Sequence, residues 1–349
     1  MRAHTWERAT DAASAVERVS SSPDAQFIAA GSNLVDHLKL GIARPDLLVD
    51  VSRLPLDQID HSEAGVRIGA NVRNSDLAAD AGIRQGYAVL SRALLSGASG
   101  QIRNQATTAG NLLQRTRCVY FQDVTTPCNK REPGSGCSAL EGYGRYNAIL
   151  GTSPDCVAVH PSDLAVSLAA LDATVTVLGS EGEREVAFED LHRLPGDHPE
   201  QDTTLRHGDL VTGVFVPALP SGTRSTYTKV RDRASYAFAL VSVAVVVRVA
   251  DDGTLDDIRI AWGGASHKPW RARRAEDLLR GKEPSAENVR AALDAELAEA
   301  KTSADTAYKV PMLLRTTAMT LVQLTSPGSS PSPTSSTTST TTSTEEASA

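Results

Sequence analysis

Ala98-Ser99-Gly100-Gln101-Ile102-Arg103-Asn104-Gln105-Ala106-Thr107-Thr108-Ala109-Gly110-Asn111 opens the stretch around which the rest of the chain is arranged. It passes through all four cysteines, Cys118, Cys128, Cys137 and Cys156, and closes on His160-Pro161-Ser162-Asp163. The small residues of Thr107-Thr108-Ala109-Gly110-Asn111 let a ligand reach the backbone, and their hydroxyls and amide hydrogen-bond phosphate or ribose oxygens. The cysteines are spaced C-x9-C-x8-C-x18-C. Thiolates suit Fe–S clusters and structural zinc, but the C-x(2–4)-C knuckle usual for zinc is missing. Pro127, Asn129-Lys130-Arg131, Pro133-Gly134-Ser135-Gly136 and Arg145 make the intervening loop irregular and partly basic, suited to a group left negative by its thiolates. From spacing alone an iron–sulfur cluster, structural zinc and four unrelated buried thiols all stay open. His160 is either a further ligand or a histidine held by its own hydrogen bonds.

Upstream, Thr10 is the expected N-cap of a helix carrying Ala12, Ala15, Val16 and Val19 on one stripe and stopping before Pro23. A short strand, Gln26-Phe27-Ile28, then runs into Ala29-Ala30-Gly31-Ser32-Asn33-Leu34. Ser32 is the expected cap of a helix over 33–40, closed by Gly41 in the left-handed conformation. Strand, small-residue turn, helix aims free N–H groups at an anion. Such a turn is also a plain tight turn, and it lacks the G-x-G-x-x-G spacing of a Rossmann fingerprint. Two such loops about seventy residues apart suit a dinucleotide laid between two layers. Residues 47–51 and 66–70 read as strands, and 75–95 as a helical stretch broken at Gly82 and Gly86.

Downstream, Ser162-Asp163 starts a helix over 164–171. Asp163 there favours the positive helix end or accepts from a ribose hydroxyl. Strands are expected over 174–177 and 211–216. From 217 to 223 the composition turns to Pro, Gly, Ser and Thr, a candidate boundary. Strands at 226–230, 239–249 and 258–261, followed by helices at 271–280, 285–300 and 310–324, predict a smaller α+β domain. Residues 326–349 hold 16 Ser or Thr in 24 positions with nothing apolar to bury, and are expected to be disordered.

The 349 residues have room for two cores, and a net charge of -7 without basic runs interleaved with aromatics excludes nucleic acid as an expected partner. Residues 237–247 form the longest apolar run, too short to span a bilayer, so no membrane insertion is expected. The N-terminus carries no apolar h-region. Cytoplasmic synthesis and folding are therefore expected, where clustered cysteines point to metal or catalysis rather than disulfides.

Taken in order, these pieces resemble the FAD-binding subunit of the molybdenum hydroxylase family, which includes xanthine dehydrogenase, carbon monoxide dehydrogenase and aldehyde oxidoreductases. The likeness is carried by Ala29-Ala30-Gly31-Ser32-Asn33-Leu34, Gln101-Ile102-Arg103-Asn104 with 107–111, and Pro161-Ser162-Asp163-Leu164-Ala165. Tyr227-Thr228-Lys229-Val230-Arg231 and Gly263-Gly264-Ala265 with Pro269-Trp270-Arg271-Ala272 continue it, so that it covers 1–325. The cysteine insert is similar to the branch whose flavin subunit carries an additional [4Fe-4S] cluster. The resemblance implies an α+β fold, a two-subdomain FAD-binding domain of the vanillyl-alcohol-oxidase/PCMH type at 1–220 with the cluster insert at 115–160. A smaller α+β domain at 221–325 follows. It also implies Ile28, Ala29, Ala30, Gly31, Ser32, Asn33 and Leu34 at the pyrophosphate, and Thr107, Thr108, Gly110 and Asn111 at the phosphates and flavin side. Asp163 falls on the FAD sugar or chain, Lys229 near the isoalloxazine edge, and Val211 on an apolar wall. Cys118, Cys128, Cys137 and Cys156 are the implied cluster ligands, and no acid–base residue is expected to be catalytic.

The implied partners are a molybdenum-cofactor large subunit and a [2Fe-2S] small subunit, in a heterotrimer or its dimer. Such a complex can leave the cytoplasm on a partner's signal. Ala30 and Ala109 stand where the family usually has glycine, and either would be strained if its backbone needed positive φ. The competing expectations are a self-sufficient flavin oxidase of the same fold and a zinc-bound structural protein.

Overall fold

The computed structural model describes residues 2–326; the Ser/Thr-rich segment expected to be disordered lies, from residue 327 on, outside the described residues. Three short parallel strands, β1 (Thr5–Arg8), β2 (Ala25–Ile28) and β3 (Leu47–Asp50), are ordered β1-β3-β2, with β3 fully buried in the middle. The helix Ala12–Ser20 connects the first two and packs Ala15, Val16 and Val19 against the sheet. Asp11 caps it rather than Thr10: the carboxylate accepts from Ser14 N at 2.8 Å, and the Thr10 hydroxyl donates to that same side chain. At the next helix, Leu34–Leu40, the N-cap position falls to Asn33 instead of Ser32, without a side-chain cap bond; Gly41 closes it at φ 75° as expected.

The second sheet is antiparallel, in the order β4-β5-β8-β6-β7: β4 (Ile59–Ser62), β5 (Gly65–Gly69), β6 (Thr174–Gly179), β7 (Gly182–Ala187) and β8 (Leu210–Pro217). The two strands that flank its middle strand β8, β5 and β6, are separated in sequence by the whole of the central stretch. The helical run divides into Asn74–Ala79, Ala81–Gly86 and Ala88–Ser96. The second break follows Gly86 as expected, but the first falls at Asp80, whose side chain caps the next helix by accepting from Ile83 N, and Gly82 lies inside that helix. Leu77, Ile83, Val89 and Leu90 of these helices join Leu164 and Leu168 of the helix Asp163–Ala170 over Val66, Ile68, Val175 and Val214 of the sheet.

The third sheet is ordered β12-β11-β10-β9: β9 (Arg224–Val230), β10 (Val241–Val249), β11 (Leu255–Gly263) and β12 (Trp270–Arg271). Alternation explains why β10 reads as a continuous apolar run. Val241, Val243, Val245 and Val247 face Leu293, Leu313 and Leu321 of the C-terminal helices, whereas Ala244 and Val246 face the helices of the first core. Both faces are covered, and each buried valine contributes about 1.5–3 kcal/mol. The sheet is thus the wall against which residues 88–96 and 163–170 are pressed. Among the described residues no helix is long and apolar enough to cross a membrane.

Candidate functional site

A cleft of about 580 Å³ opens between the helices of the first core and the edge of the third sheet. Ser32, Asn33, Gly110, Asn111, Asp163 and Lys229 all line it, so segments up to about 200 residues apart in the chain meet there. The first loop is formed by Gly31, whose φ of 71° only glycine adopts freely; a Cβ there would also stand 2.9 Å from Val35 Cγ2. The N–H groups of Ser32, Asn33 and Leu34 donate to no acceptor among the described residues. The second loop is a short helix, Thr108–Leu112, capped by the Thr107 hydroxyl, which accepts from Gly110 N at 3.2 Å. Asn33 joins the two loops, its Oδ1 accepting from Arg115 N at 3.0 Å. Neither Ala30 nor Ala109 has positive φ, so alanine is unstrained at both.

The remaining sequence-selected positions sit behind this surface. Thr107 and Thr108 are buried, the Thr108 hydroxyl donating to Val72 O. Val211 is packed in the core of β8, paired with Val177, and Ile28 ends β2. None of these, nor Ala29, Ala30, Gly31 or Leu34, belongs to the cleft lining itself.

Asp163 is the electrostatic centre. Tyr227 Oη donates to its Oδ1 at 2.5 Å and Lys229 Nζ to its Oδ2 at 2.7 Å, with both Lys229 and Asp163 nearly out of solvent. Burial, then the Asp163 charge, raises the Tyr227 phenol well above its usual range, so Tyr227 stays a donor. Sequence reasoning missed the loop 231–240 between β9 and β10. It brings Asp232, Arg233, Tyr236 and Phe238 over the cleft mouth, with the Arg117 guanidinium 5.3 Å above the Phe238 ring. Its signal is length, since a hairpin needs two to five connecting residues.

The four cysteines line a second, small cavity behind the first. Cys128 and Cys137 face each other across an isolated bridge, and the loop between them is closed by Asn129 N on Gly136 O at 2.7 Å and Gly136 N on Asn129 Oδ1 at 2.8 Å. All four thiols are free. Among the described residues no three His, Cys, Asp or Glu are already drawn into a metal-binding group, so the sulfurs share a cavity rather than a finished ligand sphere. Burial raises the thiols of Cys118 and Cys137 and pushes Cys156 up to about 12. A positive group in the cavity is what would make them thiolates. Lys130 is fully buried alongside and donates to Pro199 O at 2.6 Å and to Asp202. Burial alone would raise the Asp202 carboxyl, but Arg115 and Lys130 hold it well below the usual range. Cys118 lines both cavities.

Residues 2–219 match the FAD-binding domain in molybdopterin dehydrogenase, and 225–321 match the carbon monoxide dehydrogenase flavoprotein C-terminal domain. The chain belongs to this molybdopterin dehydrogenase FAD-subunit family. It is 49% identical to the aldehyde oxidoreductase FAD-binding subunit PaoB of Escherichia coli K12, covering 93% of this chain and 98% of that one. Against the glyceraldehyde dehydrogenase medium chain of Sulfolobus acidocaldarius it is 27% identical over 80% of this chain and 81% of that one. The fold superposes on a solved carbon monoxide dehydrogenase from Hydrogenophaga pseudoflava with a TM-score of 0.72 at 24% identity, covering 92% of this chain and 96% of the other. The expected two-part FAD-binding domain with an α+β C-terminal domain is therefore the fold present, and the chain is an oxidoreductase FAD subunit.

The cleft of this FAD subunit suits a dinucleotide: free N–H groups at one loop, an amide and hydroxyls at the other, and Ala93, Leu94, Ile102 and Val166 as apolar wall. Beside the cleft and the cysteine cavity stand three histidines, the half-buried His160 and the buried His192 and His267, each with a ring nitrogen that has no hydrogen-bond partner among the described residues. His160 lines the cleft and stacks against His192 at 4.3 Å between centroids. Burial keeps His160 well below its usual range and pushes His192 down to about 4. Unfolded histidine titrates near 6.5, so between that pH and about 4 the unfolded state binds protons that the folded state refuses. The stabilisation is complete above pH 6.5 and is lost as pH falls. By pH 5 His192 is expected to have withdrawn about 2 kcal/mol, with His160 acting in the same direction, before unpaired carboxylates titrate. A urea midpoint that stays level from pH 7 to 5 contradicts this.

Proposed function

We propose that this chain is the flavin and [4Fe-4S] electron-relay subunit of a molybdenum-cofactor aldehyde oxidoreductase-type complex. In that complex it takes electrons from a [2Fe-2S] small subunit and passes them to an acceptor. The observation that carries the reading is the pair of adjoining cavities, a dinucleotide cleft and a four-thiol chamber, which share Cys118 as a wall. FAD, when bound, supplies the exchange of one or two electrons. The protein positions it. The N–H groups of residues 32–34 and the Gly110-Asn111 turn hold the phosphates, and Asp163, fixed by Tyr227 and Lys229, accepts from a sugar or chain hydroxyl. Lys229 places a positive charge in the cleft. The loop 231–240 shields the mouth from water. We assign residues 1–220 to the FAD-binding domain, with 115–160 as its cluster insert, and 221–325 to the C-terminal domain.

Several features support the cluster: four free thiols round one chamber, no other cysteine in the chain, and the buried Lys130 beside them. Relatives named as medium chains, and one named as the FAD-binding subunit of an aldehyde oxidoreductase, support the partners and the substrate class. Reduced thiols fit assembly in the cytoplasm. Purified with its partners, the full chain is expected to be yellow-brown, with about one flavin and about four irons per copy, as a four-cysteine cluster requires. Colourless, iron-free protein from anaerobic expression rejects the reading. Stoichiometric zinc without flavin would establish the structural alternative, and turnover by this chain alone the self-sufficient oxidase.

A further inference from the structure

His267 follows the β11 turn, and its Nε2 lies 3.7 Å from Cys156 Sγ. The imidazole is 6% exposed, and its Nδ1 has no hydrogen-bond partner among the described residues. A neutral ring carries one proton, on one nitrogen or the other. On Nδ1 it would be a buried donor without an acceptor, while the Nε2 lone pair faced the sulfur lone pairs. On Nε2 it points at sulfur, and the cost of an unmet donor disappears. Cys156 is also the cysteine whose chain runs directly into the flavin cleft, since Val159, His160, Pro161, Ser162 and Asp163 all line it.

We propose that His267 is a positioning residue: its Nε2–H donates to Cys156 Sγ and makes the iron centre ligated there easier to reduce. The proposal rests on the iron–sulfur reading above. A hydrogen bond to a ligating sulfur draws off part of its negative charge, and the added electron is then better tolerated. No proton or bond is transferred in this step. With the centre bound, its reduction would add one electron, and the donor would only weight that equilibrium. His160 N donates to Ser266 O at 3.0 Å, so the donor's backbone is tied to the segment that lines the cleft.

The test uses the purified full complex with His267→Leu, which removes the donor, and His267→Gln, whose amide N–H reaches the same place. Iron and flavin are quantified first, and the iron centre is then titrated by electron paramagnetic resonance at fixed potentials. At the potential where the parent is half reduced, the Leu variant is expected to show a reduced-to-oxidised ratio about tenfold lower, which is 59 mV for a one-electron couple. The Gln variant should recover most of it. Equal ratios in parent and Leu variant, with iron retained, overturn the proposal, as does a Gln variant no closer to the parent than Leu. If the Leu variant loses its iron, the Gln variant decides alone: a ratio within threefold of the parent upholds the donor role, and a tenfold fall rejects it. Iron missing from the parent itself overturns the underlying cluster reading, which the iron assay reports separately.

Discussion

Asp163→Asn is expected to strip the flavin from the purified chain and to lower its stability by about 3–5 kcal/mol, the cost of leaving one member of a buried ion pair alone. The magnitude follows from what surrounds the carboxylate. Lys229 Nζ is almost fully enclosed, and without Asp163 its nearest acceptor is Ser96 O at 3.2 Å, a neutral carbonyl that cannot offset an ammonium. Tyr227 loses its acceptor in the same change. Denaturant unfolding and the flavin-to-protein absorbance ratio measure the two effects separately. Combining Asp163→Asn with Lys229→Met removes both charges and should return most of the stability while flavin stays weakly bound. If the single variant keeps a full flavin complement, Asp163 is a packing residue and not part of the binding surface.

Cys128→Ser should cost the chain its iron but not its flavin. Cys128 lines only the small chamber, opposite Cys137, and no part of the dinucleotide cleft. Serine keeps the shape but is a poor ligand for iron held by thiolates. Iron is expected to fall from about four per chain to below one, with the broad brown absorbance going and the flavin bands staying. Unchanged iron would mean that the four thiols are not the ligands. The contrast with Cys118→Ser is informative, because Cys118 borders both cavities and should disturb the two spectra together.

Much of this was legible in the residues, for identifiable reasons. β10 announced itself because valine repeats at every second position, and the helical run at 74–96 broke after Gly86 as its glycine suggested, although the other break falls at the capping Asp80 and not at Gly82. Four strands stayed hidden, all at sheet edges: β1 (Thr-Trp-Glu-Arg), β4 (Ile-Asp-His-Ser) and β7 (Gly-Glu-Arg-Glu-Val-Ala), with largely polar, partly exposed side chains, and β12 (Trp-Arg), only two residues long. Pairing places them rather than their own alternation: β4 and β7 are hairpin partners of β5 and β6, and β1 lies along β3 about forty residues on. In the site, both loops could be read from their small residues, but their meeting could not, because Asn33 and Arg115 are separated by 82 positions. The same holds for Asp163 with Tyr227 and Lys229 and for Cys156 with His267, contacts made by sheet order alone.

The sharing of Cys118 by the walls of both chambers bears on speed. If each holds its redox group, the two stand on either side of a residue common to both walls, and no hinge or lid must swing to bring donor and acceptor together. Thickening the solvent with glycerol should then leave the exchange between them untouched, and any viscosity dependence of turnover would originate where this chain meets its neighbours.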